Sequence, residues 1–460
     1  MAAATGRRAV QVSGAGLGLR PELAADLLRR PGAVDFVEVV VEACFASGPA
    51  RREAAAMAEL WPVIPHGIKL SLGSADGIDE ERARRFGALA RELRAPLVSE
   101  HVAFVRGGER EIGHLTPVPF TPAAVQVVAR NVAQARRRLP DIPLLLENVA
   151  WTFRWPESTM SEADFYGAVV EATGCDLLLD VSNLYANARN SGVDPAAMLD
   201  QFPLDRVAMV HLAGGHLEHG FYIDTHAHAV PDAVFDLLDR LVARRGPVPV
   251  VIERDSLFPP FASLEHEVER SRAALDRGAG EVTPGWRPIP DHPDLPDSLT
   301  APLLAAQLHI ARLLTDLDAP PAADVARFGQ AGLDRSREIL RRKRVDDALP
   351  LLPRLLARRA QLAPLAYRAV VAEPRTDRLA AIADARRIAR AAALVEALRP
   401  AALVDGLLLD ARFAFDAASV SVRRGPFVRR ERLPDGRSVW ALKGPGAGAP
   451  VRVFEPPPAV

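Results

Sequence analysis

The chain has 460 residues, 49% apolar and 25% charged, with 57 basic against 58 acidic residues and a net charge of -1. That is enough apolar material for about two or three packed domains, and the balanced charge offers no footprint for nucleic acid or an anionic membrane. Cys44 and Cys175 match no zinc or disulfide spacing, no apolar run reaches the roughly 20 residues of a membrane span, and the N-terminus holds no signal peptide, so a reducing cytoplasm is the expected compartment.

From the start to about Leu275, short β-like apolar runs alternate with segments of helical period. The strands are expected at Val10 to Ser13, Phe36 to Val41, Ile68 to Leu72, Leu97 to Ser99, Leu144 to Leu146, Leu177 to Asp180, Val207 to Leu212 and Val248 to Ile252. Helices are expected at Pro21 to Leu28, Arg51 to Leu60, Glu80 to Leu93, Pro122 to Arg137, Glu162 to Ala172, Pro195 to Gln201, Pro231 to Arg244 and Leu264 to Leu275. Near-continuous apolar strands alternating with helices argue for an α/β fold with a parallel sheet, and this many units suit a closed (β/α)8 TIM barrel. The run Gly14, Gly16, Gly18 after the first expected strand is too weak a phosphate fingerprint to favour an open doubly wound sheet, and a tight turn explains it.

Residues 1–278 are thus expected to form the barrel domain. The proline-dense stretch that follows, over 279–300, reads as a linker. Residues 301–460 are expected to form a smaller, mainly helical domain ending in a β-hairpin around Asp435 and Gly436, and the closing GPGAGAPVRVFEPPPAV is expected to be poorly ordered.

Chemistry concentrates in Val207 to Val230, where His211, His216, His219, Asp224, His226 and His228 crowd together in a chain of 11 histidines. Imidazoles and carboxylates gathered at a strand exit are what a transition-metal site needs. His101 follows the fourth expected strand, Glu147 and Asn148 end the fifth, Asp180 and Asn183 the sixth, His211 the seventh, and Glu253 with Asp255 the eighth. In a (β/α)8 barrel the carboxyl ends of the strands open on one face, so these side chains converge. His66 stands at the beginning of its expected strand, where geometry alone does not include it. Without cysteine the donor set leaves iron, manganese or catalytic zinc, and its surplus suits two or three ions bridged by a carboxylate such as Glu147.

The succession GLGLR, DFVEVVVE, HGIKLSLGS, SEH, HLTPVPFT, LENVAW, LLLDVSNLY, HLAGG, DTHAHAVPDAVF and IERD over about residues 10 to 275 resembles the multinuclear non-haem iron-dependent oxidative enzymes. These are barrel proteins that modify cysteines in ribosomally made peptides, the methanobactin-forming enzyme among them. The resemblance implies metal ligands at His66, His101, Glu147, Asp180, Asn183, His211, Asp224, His226 and Glu253. It implies a supporting role for Glu42; His216 and His219 are not matched by it and stand as candidates at the pocket rim, and Asp255, from its strand-end position, is a further candidate for a supporting role. Where relatives often read DTHDH, this chain has Ala227; where they read ENY, it has Glu42, Ala43 and Cys44.

The function implied is an oxidase or oxygenase holding two or three Fe(II)/Fe(III) ions and using dioxygen to oxidise a peptide cysteine at its β-carbon, with no side-chain nucleophile. The partner implied is a precursor peptide, and the tail LDRSREILRRKRVDDALPLLPRLL is similar to small proteins fused to or found beside such enzymes, which suggests a peptide-docking module. The rival readings are a divalent-metal isomerase or phosphodiesterase on the same barrel, for which a basic DNA groove is wanting, and a non-catalytic metal-binding scaffold.

Overall fold

The computed structural model describes residues 12–45, 48–108, 110–278, 295–316, 318–371, 379–416 and 420–455. The chain divides into two compact units, Met1–Val105 with Leu115–Gln307, and Arg106–His114 with Leu308–Val460. Most of the proline-rich linker, 279–294, lies outside the described residues.

In chain order the elements up to residue 276 are β1 (Ala15–Gly18), α1 (Pro21–Arg29), β2 (Val37–Val40), α2 (Pro49–Met57), β3 (Val63–Gly67), α3 (Glu80–Glu92), β4 (Val98–His101), β5 (Ala103–Gly107), β6 (Arg110–Pro117), α4 (Pro122–Arg136), β7 (Leu144–Glu147), α5 (Glu162–Thr173), β8 (Asp176–Asp180), α6 (Val181–Ser191), α7 (Pro195–Leu199), β9 (Val207–Leu212), β10 (His216–Glu218), β11 (Phe221–Ile223), α8 (Asp232–Arg245), β12 (Val250–Ile252) and α9 (Phe261–Asp276). Strands β1, β2, β3, β4, β7, β8, β9 and β12 pair in parallel and close with β12 against β1. This is the TIM barrel expected from the alternation. The antiparallel pairs β5–β6 and β10–β11 lie in loops after β4 and β9.

Strand period places the site. Phe36, Ile64, Leu97, Leu145, Leu178, Met209 and Val251 form one buried apolar cluster. Side chains two residues apart on a strand share a face. Two residues beyond members of that floor therefore come Glu38, His66, Ser99, Glu147, Asp180, His211 and Glu253, one layer higher toward the carboxyl ends. His101 follows Ser99 by the same step. A buried apolar layer thus lies directly under a polar one.

Local chemistry sets the helix starts that feed this layer. Asp79 accepts from the backbone of Glu81 and Arg82 to open α3, and Thr121 with Pro122 opens α4. Asp180 accepts from Ser182 and Asn183, so α6 starts directly at the end of β8 and closes on Gly192 at φ 70.

The structure corrects two expected strands and the expectation for the closing segment. The first strand among the described residues is Ala15–Gly18; Val12 and Ser13 of the expected run stand outside it, and Val10 and Gln11 lie outside the described residues. A Cβ at Gly16 would stand 2.7 Å from Phe36, which is why glycine occupies that position. The third is Val63–Gly67, not Ile68 to Leu72, so His66 lies near its carboxyl end. The closing segment is ordered in part, with Val451–Phe454 forming a strand.

The second unit carries part of α10 (Asp297–Thr315), then α11 (Ala322–Phe328), α12 (Gln330–Ala348), α13 (Pro353–Leu356), α14 (Arg359–Val371), α15 (Ala380–Ala392), α16 (Arg399–Arg412), β13 (Phe413–Phe415), β14 (Val420–Val422), β15 (Phe427–Arg432), β16 (Ser438–Lys443) and β17 (Val451–Phe454). The terminal hairpin is β15–β16, turning at Gly436 with φ 84, and β17 adds a third strand. The Val420–Val422 segment pairs instead with Phe413–Phe415.

Candidate metal centre

Three groups of side chains stand close enough to share an ion each: His66, His101 and Glu147; Glu147, Asp180, His211 and Glu253; and Asp180, Asp224 and His226. Glu147 belongs to the first two and Asp180 to the last two. The groups form a row joined by carboxylates.

Distances give each oxygen its direction. Glu147 Oε2 is 3.5 Å from His66 Nε2 and 3.4 Å from His101 Nε2, while its Oε1 is 3.3 Å from His211 Nδ1. Glu253 Oε2 lies 3.2 Å from His211 Nδ1 and 3.1 Å from His226 Nδ1. Asp180 Oδ2 is 3.9 Å from His226 Nε2, which lies 2.6 Å from Asp224 Oδ2.

The ring nitrogens facing away from the groups are held. His101 Nδ1 lies 3.1 Å from the carbonyl of Gly67, which can only accept, so Nδ1–H donates and the lone pair on Nε2 faces Glu147. His66 Nδ1 is 2.9 Å from Ser99 Oγ. His211 Nε2 is 3.0 Å from Glu38 Oε2, which leaves Nδ1 turned to Glu147 and Glu253. A histidine whose other nitrogen donates to a carboxylate is the usual orientation for metal ligation.

The donor atoms fit metal ions on a second count. Glu147 Oε2, Asp180 Oδ2, His211 Nδ1 and Asp224 Oδ1 are buried without a hydrogen-bond partner. Buried polar atoms are rarely left so, because each forfeits its hydration. Electrostatics agree. Burial and neighbouring Asp224 push Asp180 well above the usual carboxylate range, and burial pushes Glu38 up to about 7 despite His211 beside it. Burial drives His66 down to about 3, leaving a neutral ring with a lone pair to give. Burial would raise Glu147, but His101, His211 and His66 outweigh it and hold the carboxyl at about 2. Burial would also lower His211 and His226, but the carboxylates around them outweigh it and raise both above the usual imidazole range, so each holds a proton where no cation stands. Divalent cations relieve such crowding of buried carboxylates and take the place of those protons.

The structure brings the eight histidines and acids among the nine expected ligands into these groups. The ninth, Asn183, sits in the first turn of α6 and its carboxamide donates to the carbonyl of Asn148 at 3.0 Å. Glu42 accepts from the backbone of Ile68 and so fixes the exit of β3. Asp255 pairs with Arg20, whose Nη2 also lies 4.0 Å from Glu253, and stands 3.8 Å from His226 Nδ1. His216 lies beside His228, ring centroids 5.0 Å apart with the planes tilted at 48°, and its Nδ1 is buried without a partner. His219 is exposed at the β10–β11 turn with φ 50.

Sequence reasoning missed Glu38, Ser99 and Arg20. The signal was the strand period itself: Glu38 stands two residues after Phe36 in an apolar strand, as His66 stands two after Ile64.

The family model described as "RiPP precursor modification enzyme MbnB/TglH/ChrH" matches residues 14–276. RiPP stands for ribosomally synthesised and post-translationally modified peptide. A protein of Streptomyces avermitilis named only as a UPF0276 protein is 42% identical over 277 residues, spanning 59% of this chain and 56% of that protein's length. A UPF0276 protein of Caulobacter vibrioides is 40% identical over 269 residues, spanning 58% of this chain and 95% of its own. Among solved structures, endonuclease IV from Thermus thermophilus aligns with TM-score 0.39 and 18% identity, covering 58% of this chain and 100% of that one. A D-allulose 3-epimerase from Methylomonas aligns with TM-score 0.37 and 15% identity over 58% of this chain and 93% of its own. At those values neither bears on the reaction.

Proposed function

Since the chain belongs to the MbnB/TglH/ChrH family of RiPP precursor modification enzymes, we propose that it is a multinuclear non-haem iron oxidase or oxygenase that modifies a cysteine of a ribosomally made precursor peptide with dioxygen. One observation carries this reading: a single carboxylate, Glu147, turns its two oxygens to two different histidine groups, and Asp180 links the second group to a third. Donors of nitrogen and oxygen type with no cysteine suit iron, and up to one ion per group is accommodated.

When bound, the ions supply redox chemistry and a Lewis-acidic seat for a thiolate. The chain's own residues do the rest. Ser99, Gly67 and Glu38 fix the imidazoles of His66, His101 and His211. The apolar layer beneath keeps water from the floor of the site. Arg20 and Asp255 stand at the rim beside Glu253 and His226, and the exposed Asp255 marks the side open to a substrate.

The reading is tested by loading anaerobic protein with Fe(II) and adding a cysteine-containing peptide, then dioxygen. A thiolate-to-iron absorption band followed by dioxygen uptake and a mass change localised to the cysteine is expected. Dioxygen uptake without any change at cysteine would contradict it.

A further inference from the structure

The sheet β15–β16–β17 has two unlike faces. Val439 and Ala441 turn inward and pack with Val404, Leu407 and Ala411 of α16, together with Phe427, Val451 and Val453. Cross-strand register then fixes what the other face carries. Val428, Leu442 and Arg452 form one row, Arg430, Trp440 and Phe454 the next, and Arg432 with Ser438 a third.

This outer face is not an ordinary solvated one. Val428 is 67% exposed, Phe454 51% and Trp440 42%, three of the chain's large apolar side chains left open on one small sheet. The guanidinium of Arg430 lies 5.7 Å from the Trp440 ring centroid and donates to Ser438 Oγ, while Arg432 and Arg452 are exposed. None of these positions holds an acid. Glu431 faces the other side, 3.7 Å from Arg429. Over residues 308–460 arginines outnumber acidic residues, so the unit's charge favours the same sign of partner.

We propose that this face docks an extended, acidic peptide segment carrying spaced apolar side chains. Same-side residues of an extended peptide recur about every 7 Å, as do Val428, Arg430 and Arg432 along β15. Glutamate or aspartate would meet the arginines while aliphatic or aromatic side chains cover Val428, Leu442, Trp440 and Phe454, so the first two rows each offer one charged and two apolar side chains and the third adds Arg432. Arginine beside exposed aromatic residues is the composition in which binding energy concentrates at interfaces. Single-stranded nucleic acid suits the face less well, because the Val428–Leu442 row is aliphatic and offers no ring on which a base could stack. The proposal rests on the functional reading above only in naming the source of the segment, a part of the precursor peptide remote from the reacting cysteine.

The test uses the full chain and a fluorescent synthetic peptide of alternating glutamate and leucine, read by anisotropy. A lysine–leucine counterpart and oligothymidylate serve as competitors. Binding of the acidic peptide is expected, with little of the basic one. Joint Arg430→Glu, Arg432→Glu and Arg452→Glu substitution should reverse that preference, and Trp440→Ser, which leaves the charge alone, should weaken the acidic peptide by about tenfold or more. Circular dichroism and metal content of both variants should match the parent, so the outcome is independent of whether the barrel oxidises anything. Equal binding of the two peptides, unchanged binding in both variants, or preference for oligothymidylate would overturn the proposal.

Discussion

Glu38 Oε2 lies 3.0 Å from Nε2 of His211, and this contact decides which ring nitrogen faces Glu147 and Glu253. Removing it frees the imidazole to rotate or to change tautomer. Outer partners of this kind typically contribute about 10–100-fold to metal affinity. Glu38→Ala should therefore weaken binding of the middle ion by that order in a chelator competition titration, while Glu38→Gln, which keeps an acceptor, should lose less. Equal affinity in Glu38→Ala and the parent would remove Glu38 from the site.

Glu147 and His101 make unequal demands. Because Glu147 faces two groups and His101 one, Glu147→Gln should lose a larger share of bound metal than His101→Ala. Metal analysis beside circular dichroism checks this, and equal loss in the two folded variants would argue against a shared carboxylate.

Glu162 gives a pH signature away from the ions. It is buried and accepts from Trp151 Nε1 at 3.2 Å and Asn187 Nδ2 at 3.1 Å. Burial raises its carboxyl from an ordinary 4.5 to about 7. With the folded value the higher one, its contribution is fully present below pH 4.5 and is lost as pH rises through about 7. The loss is about 3 kcal/mol at most. Glu162→Gln should flatten the fall in unfolding midpoint between mildly acidic and mildly alkaline buffer. A slope unchanged from the parent would show that Glu162 does not titrate there.

In the second unit, Arg344 grips Asp384 through two bonds of 2.9 and 2.8 Å, with both side chains buried. Arg387 Nη1 donates to the same carboxylate at 2.8 Å, so Asp384 serves two arginines, and breaking a buried pair of this kind costs about 3–5 kcal/mol. Asp384→Ala should lower the urea midpoint of this unit by that order without altering metal content. A shift below about 1 kcal/mol would place the pair among those that contribute little.

The barrel was legible because its helices and strands differ in period, and Val207–Leu212 is the very strand the apolar run marks. Where the reading slipped, a local signal pointed elsewhere. Pro62 and Pro65 disguise β3, whereas the run from Ile68 to Leu72 looks like a strand but is a loop with Ser71 at φ 66. The polar sequence VSNLYANARNS hid α6, since its cap is Asp180, a residue already assigned to the site. The histidines and acids could be found by type and strand end. Glu38 was marked only by strand period, two residues after Phe36, and its role of holding His211 Nε2 became legible only once the fold brought the two together.

The account turns on whether the carboxylate-linked groups hold iron, and metal analysis with Mössbauer spectroscopy of anaerobically purified, iron-57-enriched protein tests it most directly. More than one iron per chain, with signals of exchange-coupled ions once oxidised, is the predicted result for groups that share Glu147 and Asp180. Zinc in place of iron, or a single magnetically isolated iron, would contradict it.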